Sequence, residues 1–127
     1  MTGSESDGVE KQCEIYDFEE QTWFLLPTLN EKRMHHSSCA YGESKIYVFA
    51  GFNKESLLNS IECFDRKKPD KGWQIFDGDF TPRAWPAVIT LESNLKYGHI
   101  LIIGGKGIKY DQRDMHLLKL VTYPPVT

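Results

Sequence analysis

From residue 14 onward, short apolar runs alternate with turn residues, and no long stretch keeps a 3.6-residue period. The pattern predicts strands at Glu14–Phe18, Trp23–Leu26, His36–Tyr41, Lys45–Ala50, Ser60–Phe64, Trp73–Phe76, Trp85–Leu91, His99–Ile103 and Met115–Leu120. Pro27, Gly42, Gly51–Asn53, Pro69–Gly72, Thr81–Arg83, Asn94 and Gly104–Gly105 punctuate them. The expected fold class is all-β.

Two runs bear on the architecture. Ile46–Ala50 and Ile100–Ile103 are apolar at consecutive positions. Successive side chains on a strand point to opposite faces, so both faces of these strands need cover. Sheets stacked face to face would supply it.

The pattern also repeats. Trp23-Phe-Leu-Leu26 returns as Trp73-Gln-Ile-Phe76, and Arg33 returns as Arg83, both at an offset of 50. Glu14-Ile-Tyr-Asp17 is echoed by Glu62-Cys-Phe-Asp65 at 48, and Gly51 after an apolar strand by Gly105 at 54. Landmarks recurring in one order at nearly one spacing mark a repeat architecture.

These residues resemble the kelch repeat, whose period is about 50 residues. Its order is an arginine, a small-residue strand, an apolar strand ending in Gly-Gly, an acidic-aromatic-Asp strand, then Trp. Here that order is Arg33, Ser37–Ala40, Ile46–Gly51, Glu62–Asp65 and Trp73. The next unit gives Arg83, Ala87–Ile89 and Ile100–Gly105. Ala50 departs from the pattern, standing where the first Gly of the pair is usual. The third unit's acidic strand is reduced to Asp114–Leu117.

The resemblance implies kelch-type β-propeller blades, each a four-stranded antiparallel sheet. It divides the chain into an acidic flexible tail (1–13), kelch repeats (14–122) and a short tail (123–127). The repeats fall into a partial unit (14–29), a full unit (33–76) and a partial unit (83–120). Trp23 and Trp73, in the fourth strands, would fill the gap between blades near the rim. Little more than two blades make an incomplete ring, since closed propellers have roughly 4–8. Bare blade faces, with residues such as Ile46 and Val48, would result. The chain is then either a piece of a longer propeller, which is the favoured alternative, or an arc that completes a ring by self-association.

Charge adds one asymmetry. Lys and Arg number 15 and Asp and Glu 18, a net charge of −3. The first 20 residues hold seven of the acids and a single base, Lys11. No nucleic-acid or membrane field follows from this balance. No apolar run approaches the roughly 20 residues of a membrane span. Cys13, Cys39 and Cys63 form no C-x-x-C pair, so a reducing compartment, cytoplasmic or nuclear, is expected. Cys39 and Cys63 are expected to be buried.

Candidate chemistry lies on loops. In an up-and-down blade, the loops after the second and fourth strands share one face: 52–59, 106–113, 27–33 and 77–83. The resemblance implies that this face binds a peptide from a protein partner. The partner-binding candidates are Arg33, His35, Phe52, Asn53, Arg83, Trp85, Lys106 and Tyr110. Arg33 and Arg83 imply an acidic or phosphorylated ligand, because a guanidinium can hold a carboxylate in bidentate fashion. The alternative is that both arginines only bond carbonyls or acids in neighbouring blades. His35 and His36 would point to opposite faces of a strand, so no metal site is expected. No G-x-S-x-G and no phosphate-loop pattern is present. No cofactor is implied. The expectation is an interaction module, an adaptor or substrate receptor of a ubiquitin ligase by family analogy, and not an enzyme.

Overall fold

The computed structural model describes residues 11–91 and 98–107, and the course of the strand 111–120. Within them the chain is all-β, in three antiparallel sheets taken in sequence order. The first holds β1 (Cys13–Asp17) and β2 (Thr22–Leu26). The second holds β3 (Ser37–Tyr41), β4 (Lys45–Phe49), β5 (Ser60–Asp65) and β6 (Trp73–Asp77). The third holds β7 (Ala87–Leu91), β8 (Gly98–Lys106) and β9 (Asp111–Leu120). Each strand pairs with the next, so each sheet is a meander, and the second is a complete four-stranded blade. The blades form an incomplete ring.

The consecutive apolar residues of β4 follow from its place between two neighbours. Tyr47 and Phe49 face the third sheet and join Ile61, Cys63, Ile100 and Ile102 in one buried cluster. Val48 faces the other way and joins Cys13, Leu29, Phe64 and Trp73 in a second cluster against the first sheet. Burying each large apolar side chain contributes about 1.5–3 kcal/mol. These two seams, not the sheets alone, form the core.

The structure moves several expected features. Ile46 and Val48 do not lie on a bare face, because the first sheet covers them. The bare faces belong to the outer sheets: Ile89 and Leu91 on β7, and Trp23 and Leu25 on β2. Trp73 fills its seam as expected and donates from Nε1 to the Pro27 carbonyl at 2.9 Å. Trp23 is more than half exposed, because no described sheet lies outside it. Cys63 is buried but Cys39 is only half-buried.

β7 begins at Ala87 and β3 at Ser37, each later than the apolar pattern suggests. The reason is local. Trp85 and His35 have φ of 52° and 56°, a left-handed conformation that a strand does not accommodate. Ala50 shares that region with its repeat equivalent, φ being 60° for Ala50 and 64° for Gly104. The alanine therefore keeps the backbone path that the Gly-Gly pair provides elsewhere.

Candidate functional site

The two repeat arginines and Glu62 are the most deeply placed charged side chains described, each 0% exposed. Arg33 bridges the second sheet from within. Its Nη1 donates to the carbonyls of Ala50 at 2.8 Å and Ser60 at 3.1 Å. Its Nη2 donates to Ser60 Oγ and to Glu62 Oε2, both at 2.9 Å. The Glu62 carboxylate also accepts from the backbone N–H groups of Asn30 at 2.7 Å and Glu31 at 3.0 Å. One buried ion pair thus ties the loop after β2 to the second sheet. Burial draws the Arg33 guanidinium below its ordinary value, and the Glu62 charge pushes it back.

Arg83 does related work one repeat later. Its Nε donates to the Thr81 carbonyl at 3.0 Å and its Nη1 to the Gly104 carbonyl at 2.9 Å. Its guanidinium lies 5.6 Å from the centre of the Phe80 ring. The Arg83 backbone also links sheets, its carbonyl accepting from Gly51 and its N–H donating to the Leu58 carbonyl. Both arginines point into the scaffold, and Arg33 bonds its own sheet rather than the neighbouring blade that the alternative reading expected.

Four of the other candidates come together. His35, Phe52, Trp85 and Lys106 line one groove of about 520 Å³ between the loops of the second and third sheets. The His35 and Trp85 rings stack with centres 4.1 Å apart, and the Trp85 N–H donates to the His35 carbonyl at 2.7 Å. Trp85 nevertheless remains 57% exposed. Left-handed backbone at two bulky residues costs on the order of 1–3 kcal/mol each, a strain that tends to cluster at functional sites. Lys106 is held by its backbone, which pairs with Ala84 in both directions.

Asn53 builds the groove without lining it. Its Oδ1 accepts from the N–H groups of Glu55 at 2.9 Å and Ser56 at 2.8 Å, turning the loop back so that Leu57 bridges to Phe52. Its Nδ2 donates to Glu31 Oε1 at 2.9 Å. Tyr110 lies outside the described residues. Sequence reasoning did not single out Leu57, Glu55 and Pro82, which also line the groove. The Asn53 turn was the available signal, since Asn favours such side-chain-to-backbone turns.

His36, next in the chain to the groove-lining His35, is half-buried. Burial, then the Arg33 charge and His35, push its imidazole down to about 4, so it is neutral at pH 7. Burial pushes the Cys63 thiol up to about 11, which makes it a poor nucleophile. Among the described residues no group of three or more His, Cys, Asp or Glu could hold a metal ion.

Residues 33–69 match the kelch motif. This stretch of the chain carries a kelch motif. The match spans the loop from Arg33 through β5 and the turn after it, the part of the chain that contains the Arg33–Glu62 pair. The chain is also 34% identical over 71 residues to an F-box/kelch-repeat protein of Arabidopsis thaliana. That alignment covers 51% of this chain and 17% of the relative, so the chain spans a small part of the relative's length.

Proposed function

We propose that this kelch chain is a protein-interaction segment, and that the groove between its second and third sheets receives a segment of a partner protein. The observation that carries this reading is the Trp85–His35 platform: an exposed tryptophan stacked on a half-buried histidine, fixed by a backbone hydrogen bond, over an apolar groove on a buried scaffold. Binding residues commonly sit on loops that a rigid scaffold positions. Aromatic anchors supply large contact area at low ordering cost. The role is binding and not catalysis. The resemblance to an F-box/kelch-repeat protein supports the finer reading, an adaptor or substrate receptor of a ubiquitin ligase.

Capture experiments with immobilised chain test the reading. Partners held by the wild type and by Glu43→Gln, on the opposite loop face, are expected to be lost with Trp85→Ala. A partner set unchanged by Trp85→Ala overturns the assignment of the groove.

A second reading, self-association, is favoured by the bare apolar faces of the outer sheets at Ile89, Leu91, Trp23 and Leu25. Solution mass at two concentrations separates it. A mass that rises with concentration, and that falls back with Ile89→Lys, supports association through the third sheet.

A further inference from the structure

The sequence alone points to an acidic or phosphorylated ligand, through Arg33 and Arg83. The structure removes both from that task, because both lie buried and bonded to carbonyls, with Glu62 on Arg33. Among the described residues, a polyacidic or phosphorylated segment entering the groove would meet a single lining cation, Lys106. The rest of the lining is mainly apolar, with Phe52, Leu57, Pro82 and Trp85. Two charges of opposite sign complete it, Lys106 from the third sheet and Glu55 from the second. Both are exposed, and neither makes an ion pair among the described residues. At about 520 Å³ the groove falls in the range of roughly 300–1,000 Å³ that suits small, anchored ligand groups.

We propose that the groove selects a short extended peptide segment of dipolar character. One apolar side chain lies on the Trp85–His35 platform, an acidic neighbour meets Lys106 and a basic neighbour meets Glu55. This rests on the interaction reading above and names the class of segment recognised. The platform is built before the ligand arrives, since the Trp85 backbone is bonded to His35 and the rings already stack. Little side-chain ordering is then left to binding. The opposite charges set polarity and exclude uniformly acidic or uniformly basic segments.

The test uses the full 127-residue chain and a set of labelled pentapeptides, acetylated and amidated. Their centre is Leu, Phe, Pro or Ser, and their flanks are Asp, Lys, Ala or phosphoserine. Anisotropy is expected to favour an apolar centre with one acidic and one basic flank over the serine-centred and all-acidic peptides by about tenfold or more. Lys106→Glu, an exposed change whose folding is checked by a melt, is expected to turn the preference at the acidic flank toward lysine. Strongest binding by the all-acidic or phosphoserine peptides, or a flank preference unmoved by Lys106→Glu, overturns the proposal. Binding by no peptide overturns it as well. In that case Trp85-dependent capture of a partner would preserve the interaction reading, and loss of both would end both.

Discussion

The second and third sheets are written on one plan, yet their burial differs. Tyr47 and Phe49 on β4 are closed off, while their repeat equivalents on β8, Leu101 and Ile103, stay partly open. Cys39 on β3 is half-buried, and its equivalent Ile89 on β7 is 49% exposed. The repeat specifies a blade with two apolar faces. Whether a face joins the core depends on the neighbour that covers it. The arginines make the same point at finer scale. Arg33 and Arg83 hold one repeat position, yet Arg33 bonds a carboxylate from within its blade while Arg83 bonds carbonyls and lies over Phe80.

Substitutions can break this comparison, beginning with the buried pair. Arg33→Met leaves Glu62 buried without its cation and is expected to cost about 3–5 kcal/mol in urea unfolding. A loss below about 1 kcal/mol would mean that the pair does not hold the blade. The sheets themselves come next. Phe49→Ala should cost about 3–5 kcal/mol, and Ile89→Ala on the bare face about 1 kcal/mol or less. Equal losses would show that the third sheet is covered as fully as the second.

The glycines should matter less. A Cβ at Gly105 would sit 2.7 Å from the Ala84 carbonyl oxygen, with φ at 107°. Gly105→Ala is therefore expected to lose about 1–3 kcal/mol. Gly42 has φ of 65° but open space around it, so Gly42→Ala should lose less, about 1 kcal/mol. Parity between the two would remove the steric part of the argument.

A further effect is one of pH. The imidazole of His36 is held at about 4 in the folded chain, against its ordinary value of 6.5. Between those values the unfolded chain binds the extra proton, so stability is full above about 6.5 and declines as pH falls toward 4. Melts at pH 7 and pH 5 should differ by about 1–2 kcal/mol more in the wild type than in His36→Gln. An identical acid limb in both proteins would clear His36 of that role.

The strands and their repeat were legible because both are local patterns. Apolar runs, turn residues and landmarks such as Trp73 and Arg83 can be read without knowing what packs on them. The burial of Arg33 was not. A recurring arginine looks the same whether it faces a ligand or a seam, and Glu62 becomes its acceptor only when the loop after β2 folds over the blade. The candidate groove was half legible. His35, Phe52, Trp85 and Lys106 fall on the loop face by strand parity. Leu57 and Glu55 reach it only through the turn that Asn53 closes. The left-handed backbone at His35 and Trp85 also escaped notice, since neither residue type announces it.

The most direct measurement is the affinity of Trp85→Ala, beside the wild type, for the tightest pentapeptide of the set, with a thermal melt of each. The account predicts a loss of about tenfold or more in affinity, with the melting midpoint within about 5 °C. Unchanged affinity at an unchanged midpoint would contradict it, and the interaction site would have to lie elsewhere on the blades.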